Sequence, residues 1–400
     1  MLRILVFLAA VGVVMAEKPA AAGQDTVKIG VLADMAGTSA DIGGAGSVAA
    51  VELAGEDFGG AVAGRKIVVM GADHQAKPDI GASIAGRWFD VDGVDVIVDL
   101  PVSSVALAVQ GVANDRKKLV LVTAGTTGDL TGKSCSPYTV HWAEDTNALA
   151  NGTARAVVES GGTTWFFLTV DFIFGHSLEK AASDVIRASG GQVLGSVKTP
   201  LNTADYSSYL IQAQASKAKI IGLAEVGSDF INSVKQASEF GLVAGGQKLV
   251  GFLVYISDVH SLGVEAAQGL EIVSSFYWDA NDRTRAFAQR FMKRRGVMPT
   301  KEHASNYAAV THYLNAVKAT GSTDTEKTAA WMKAHDADYF GQPAHIREDG
   351  RVLFDLSLFE VKGPKEVRYP WDYYKKVGDL KAEQAFRPID RQACGFVSKN

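Results

Sequence analysis

Short β-branched runs alternate with amphipathic helical stripes along most of this chain, starting near residue 27. Residues 27–33, 66–71, 94–100 and 119–122 are apolar at nearly consecutive positions, which predicts strands buried on both faces. Between them Val48, Val51 and Phe58 share one helical face, as do Val105, Val109 and Val112. Strand–helix–strand order of this kind builds an open parallel sheet covered on both sides. A turn-rich stretch, residues 126–145, interrupts the pattern, and strands are expected again at 164–169, 192–197, 219–224 and 248–252. Leu178, Ala182 and Val185 form one helical stripe among them, and Phe230, Val234 and Ala237 another. Further on, Tyr307, Val310, Leu314 and Val317 keep helical spacing, Trp331 and Met332 continue on the next helix, and 357–361 reads as a late strand.

Two α/β halves followed by a tail that can return to the first half predict two Rossmann-like lobes joined by several crossings. A tandem pair with one linker is the alternative. The expected division is 27–145 plus about 280–350 for the N-terminal lobe and 146–275 for the C-terminal lobe. Residues 351–400 are the return segment and tail.

Ahead of this pattern lies an export signal. Arg3 precedes an apolar run over 4–15, and small residues follow at Val14, Ala16 and 20–23. The run is shorter than the roughly 18–20 residues that span a bilayer. Residues 1–22 are therefore expected to be removed, leaving a soluble periplasmic protein. With 40 basic and 44 acidic residues, the chain has no basic footprint for nucleic acid. Its two cysteines, Cys135 and Cys394, suit one disulfide in an exported protein, with two buried thiols as the alternative. They are too few for a metal site.

The catalytic signatures are weak or missing. The stretch GAGSVA at 44–49 imitates a dinucleotide fingerprint, but it begins about ten residues after the first strand and lacks the ribose-binding acid. No cofactor is expected. There is no Gly-x-Ser-x-Gly elbow and no His-Glu-x-x-His, so a secreted hydrolase is the weakest alternative and no catalytic residue is assigned. His141, Trp142, Glu144 and Asp145 read as a polar crossover near a hinge, and Asp171 and His176 as a loop hydrogen bond. The remaining chemistry sits in loops after strands, at 34–38, 100–104, 123–127, 171–175 and 225–228. Their Gly, Ala, Ser and Thr expose backbone N–H groups and hydroxyls suited to a carboxylate. Ordinary N-capping by Ser103, Ser104 or Ser228 is the simpler reading of each serine.

The stretches VKIGVLADMAG at 27–37, VIVDLPVSS at 96–104, LVTAGT at 121–126 and DYSSYL at 205–210 resemble type I periplasmic solute-binding proteins, specifically the leucine/isoleucine/valine-binding group. The resemblance implies two lobes with three hinge crossings closing on a small solute. It also implies a monomeric, non-enzymatic receptor whose partners are the permease and ATPase subunits of an ABC transporter. It places the carboxylate grip on Leu100, Val102, Ser103, Ala124 and Thr126, and the side-chain pocket near Ile42. The family's ammonium grip does not carry over, because its acidic position falls on Leu253 and its aromatic positions on Val226 and Phe174. Glu225 is the nearest acid to that site. Trp142, Phe172, Phe174 and Tyr255 are the candidates for an aromatic wall. The expected ligand is a small hydrophobic or aromatic carboxylate, with a branched-chain amino acid or an amide as the alternative.

Overall fold

A computed structural model describes residues 25–398; the leader expected at 1–22 lies outside them. Six strands form the first sheet: β1 (Thr26–Ala33), β2 (Ala61–Val62), β3 (Arg65–Asp73), β4 (Val96–Asp99), β5 (Leu119–Val122) and β6 (Thr139–His141). Their spatial order is β2-β3-β1-β4-β5-β6, parallel except for the β2–β3 pair. The second sheet contains β7 (Thr164–Val170), β8 (Gln192–Thr199), β9 (Ile220–Ala224) and β10 (Lys248–Gly251), in the parallel order β10-β9-β7-β8. In each sheet the first strand lies between the second and third parallel strands. That reversal of winding opens a crevice at the C-terminal strand ends, where open α/β sheets bind ligands.

The central strands are apolar on both faces because helices cover both. Ile29, Val31, Val96, Val98 and Leu121 are fully buried, as are Phe167, Leu168, Ile221 and Leu223 in the second sheet. The helix Lys301–Thr320 follows the predicted stripe, with Val310, Leu314 and Val317 fully buried, and packs on the helix Gly44–Asp57. It thus belongs with the first sheet, although some 250 residues separate the two helices.

β11 (Glu271–Ser274) joins β15 (Leu356–Val361) and β16 (Tyr374–Leu380) in an antiparallel sheet beside the helix Thr146–Glu159. β12 (Ala337–Tyr339), β13 (Gln342–Ile346) and β14 (Val352–Leu353) form a small antiparallel sheet. In chain order the elements of the first sheet end at β6, the helix Asp282–Arg295 after β11 packs back on the helix Gly44–Asp57, and β15 after β14 pairs with β11. Past β16 the tail returns to the first lobe. There Arg387 donates to Gly128 O at 2.7 Å, and Cys394 is disulfide-bonded to Cys135 with a Cα separation of 5.5 Å.

One strand falls inside the stretch expected to be loop. β6 is only three residues long, too short for periodicity to register, and is fixed by pairing with β5 and by the bridge from His141 to Arg351.

Candidate functional site

The C-terminal ends of the two parallel sheets face each other across a narrow cavity. The first lobe contributes Thr38, Ser39 and Ile42 after β1, Pro101 and Val102 after β4, and Ala124 and Thr126 after β5. Glu302 reaches the same space from the start of the helix Lys301–Thr320. The second lobe contributes Phe172 and Phe174 after β7, Leu201 after β8, Val226 after β9, and Leu253 and Tyr255 after β10.

Local hydrogen bonds shape these loops. The Asp34 carboxylate accepts from Gly37 N at 3.0 Å and Ser39 N at 3.1 Å, folding the loop after β1 back on itself. Asp99 and Leu100 have φ of +92° and +66°, uncommon for residues with side chains, so the backbone at the end of β4 is strained. What holds it is a buried network. Asn306 donates to Asp99 Oδ1 at 3.0 Å and accepts from Thr123 Oγ1 at 2.6 Å. Across the cavity Tyr255 caps the helix Ile256–Leu262, its N–H donating to Asp258 Oδ2 at 2.9 Å. Burial pushes the Asp258 carboxyl up to about 7.

The fold brings together the candidates Ile42, Val102, Ala124, Thr126, Phe172, Phe174, Val226, Leu253 and Tyr255. The Phe172 and Phe174 rings lie 5.9 Å apart and tilted. Three candidates fall elsewhere. Leu100 turns into the first lobe's core because of its left-handed backbone. Trp142 is fully buried 6.2 Å from the Tyr339 ring and does not line the cavity. Ser103 is the first residue of the helix Ser103–Arg116 and is buried without lining the cavity. Capping by serine is also corrected: the caps are Val102 and Gly227, with Ser103, Ser104 and Ser228 inside their helices. Glu225 points away from the cavity into the second lobe, where Thr199 Oγ1 donates to it at 3.3 Å. Burial raises its carboxyl to about 8.

Ser39, Leu201 and Glu302 escaped the sequence reading. Ser39 lies one residue past the loop stretch at 34–38, and Leu201 lies two residues past β8, in a loop that the strand pattern does not mark. Glu302 carries no local signal; only the packing of a late helix on the first lobe brings it to the cavity.

The polar crossover at 141–145 is fully buried at the hinge. His141 Nε2 lies 2.6 Å from Gly125 O, and burial together with the nearby Arg351 holds this imidazole well below its ordinary pKa. Glu144 accepts from Ser275 N at 2.7 Å and lies 3.8 Å from Lys301 Nζ. Asp145 caps the helix Thr146–Glu159 through Asn147 N and Ala148 N and faces Arg351 at 3.5 Å. Asp171 and His176 form an exposed pair at 2.8 Å. Among the described residues no group of three or more His, Cys, Asp or Glu side chains could hold a metal, and no helix is long and apolar enough to cross a membrane.

A wider groove beside β11 and β15 is open to solvent. Its Arg283 and Lys376 are already paired with Asp338 and Asp379, each at 2.6 Å. The interlobe cavity is the one that collects loops from both switch points.

Comparison with known proteins agrees with this architecture. A solved periplasmic binding protein from Burkholderia mallei is 47% identical and superposes with a TM-score of 0.90, covering 93% of this chain and 99% of that one. A branched chain amino acid ABC transporter periplasmic ligand-binding protein from Burkholderia xenovorans LB400 is 41% identical, with a TM-score of 0.81 over 91% and 97% of the two chains. A solute binding protein of an ABC transporter from Rhodopseudomonas palustris BisB5, in complex with 3,4-dihydroxy benzoic acid, shares the fold at 24% identity. Its TM-score is 0.81, covering 90% and 98% of the two chains. Leu/Ile/Val-binding protein homolog 6 of Brucella melitensis biotype 1 is 24% identical over 262 residues, which are 64% of this chain. That match spans 66% of the relative, just under two thirds of its length. The periplasmic binding protein family profile matches residues 26–366, and the chain belongs to that family.

Proposed function

We propose that the protein is the periplasmic solute receptor of an ABC importer and that it closes around a small hydrophobic or aromatic carboxylate. One observation carries the ligand class: among the described residues the second lobe lines the cavity with Phe172, Phe174, Leu201, Val226, Leu253 and Tyr255, none of them an acidic side chain at neutral pH. An ammonium group buried against that wall would have no partner from the second lobe, and an unpaired buried charge costs about 3–5 kcal/mol. From the first lobe, Thr38, Ser39, Thr126 and the loop N–H groups offer donors to a carboxylate, each such bond contributing about 1.5–3 kcal/mol. The aromatic pair supplies a stacking surface for a ring.

Ligand contacts to both lobes favour the closed arrangement, and that population shift is the signal a permease and its ATPase would read. The receptor acts as a monomer, with the solute and the transporter as its partners. It makes no use of nucleic acid, cofactor or catalysis. The relative bound to 3,4-dihydroxy benzoic acid supports the aromatic-acid reading. An amino-acid ligand is the second reading. The relative named for branched-chain amino acids and the carboxyl of Glu302 at the cavity favour it.

Thermal-shift screening of the mature protein against benzoates, aliphatic acids, leucine, valine, amides and urea tests both readings. A ligand at a hundred times its Kd adds about 2.7 kcal/mol. A shift with benzoates and none with leucine is the expected result, and the reverse refutes it.

A further inference from the structure

We propose that Glu302 is a specificity-determining residue of this cleft: it shares a proton with Asp99, and the neutral acid so formed admits a carboxylate ligand while giving no anchor to an α-ammonium group. The inference rests on the carboxylate reading of the cavity.

Glu302 lines the cavity, yet only 3% of the residue is exposed, and it is packed against Gly43. A methyl group at Gly43 would collide with Glu302 Oε1 and lie 2.9 Å from Ser47 Oγ. Asp99, at the strained end of β4, is buried in the same cluster as Glu302 and Ser47. Three buried atoms of this cluster, the carboxylate oxygens Asp99 Oδ2 and Glu302 Oε1 and the hydroxyl Ser47 Oγ, have no hydrogen-bond partner among the described residues. Three orphans in one cluster are not incidental, because an unsatisfied buried polar atom costs about 1–3 kcal/mol. A single proton on the carboxyl pair turns one acceptor into a donor. It relieves the repulsion between two adjacent carboxylates as well.

The surrounding charges agree. Asp34 adds a third carboxylate nearby, and Glu144 and Asp258 add negative charge around Tyr255. Lys301 is the one cation near Glu302, and it is engaged with Glu144 and Val273 O. Among the described residues no Lys, Arg or His lines the cavity. Desolvation, the largest cause, together with Asp99 holds the Glu302 carboxyl well above the usual carboxylate range. For Asp99 burial raises it to about 6. A benzoate carboxylate seated on the loops after β4 and β5 would then meet a neutral acid; ionised Glu302 would repel it.

Two measurements test this. Infrared difference spectroscopy between the ligand-free wild type and Glu302→Gln at about pH 7.5 should show the C=O band of a protonated carboxylic acid lost in the variant, and Asp99→Asn should shift that band. Its absence from the wild type overturns the proposal. Titration calorimetry with benzoate from about pH 6 to 10 should show Kd rising about tenfold per pH unit once the proton leaves, and Glu302→Gln should flatten that rise. A flat wild-type profile, or the same rise in Glu302→Gln, overturns it. So does leucine binding that Glu302→Gln weakens a hundredfold or more, which would make Glu302 an ionised ammonium anchor. If the wild type binds no benzoate even at pH 6, the carboxylate reading fails, and the infrared result still decides the shared proton.

Discussion

Gly227 is where the two lobes come into backbone contact, and Gly227→Ala should weaken ligand binding by about 5–150-fold. The residue precedes the helix Ser228–Glu239 with φ +60° and ψ −132°, a conformation open mainly to glycine. A Cβ there would be nearer to Thr38 O than the 3.0 Å that real Cβ atoms keep, with Thr38 C at 3.2 Å and Ile42 Cδ1 at 3.4 Å. Thr38 and Ile42 belong to the opposite lobe and line the cavity. Two costs follow. Backbone strain of about 1–3 kcal/mol applies to open and closed forms alike and lowers stability without changing affinity. Overpacking at the interlobe contact, again about 1–3 kcal/mol, applies only when the lobes meet, so it enters Kd directly as the stated fold-change. Gly241→Ala separates the two, since Gly241 has φ +73° and an added methyl there would meet nothing within 4 Å. It should lose stability and keep Kd. Calorimetry with the best ligand from the screen, urea unfolding of the ligand-free protein and small-angle scattering of the bound form are the assays. A Gly227→Ala protein with Kd within twofold of wild type and normal ligand-induced compaction refutes the assignment of this contact to the ligand-bound state.

Three other outcomes are expected. Leu253→Glu places a carboxylate beside Phe252, Tyr255 and the apolar wall; benzoate binding should fall at least tenfold and leucine should become a detectable ligand by thermal shift. Reducing the Cys135–Cys394 disulfide releases a crosslink spanning 259 residues, so urea stability should drop, by at most about 5 kcal/mol from loop entropy, with the ligand Kd little changed. Glu225 has its carboxyl raised by burial from 4.5 to about 8. The folded state therefore keeps a proton that the unfolded chain releases. Glu225's own contribution to stability is full below pH 4.5 and lost as pH rises toward 8, at up to about 1.4 kcal/mol per pH unit. Glu225→Gln should remove that slope from urea midpoints measured between about pH 5 and 8, and an unchanged slope would show that Glu225 is not its source.

The strands and helices that carry the cavity were legible because their burial is two-sided and their periodicity unbroken; β5 and the stripe through Val310 and Leu314 are examples. The loops at strand ends were legible through the resemblance and through the rule that open sheets bind ligands there. Orientation was not. Glu225 and Val226 are adjacent, yet one faces the lobe interior and the other the cavity. A one-residue step at a strand end reverses direction, and no propensity encodes that step. Leu100 misled for a related reason, since its left-handed backbone rotates the side chain into the core. β6 and β12 to β14 were missed because strands of two to five residues are specified by their partners rather than by their own sequence.

The buried charges at the crossings explain why this hinge can be polar without coming apart. Glu144 with Lys301 and Asp145 with Arg351 are nearly inaccessible, and pairs of this kind add little net stability because desolvation offsets their attraction. Breaking one partner leaves the other charge stranded, so the pairs act through geometry. Glu144 on the first crossing binds Ser275 N on the second, and Arg351, near the third, donates to Ala143 O on the first. Each crossing is thereby registered against another through groups that cannot slide without exposing a charge to an apolar interior. Apolar packing alone would tolerate small slips, as volume-conserving cores do. On the proposed closure around a ligand, that register would return the two lobes to one geometry while leaving the cleft free to open.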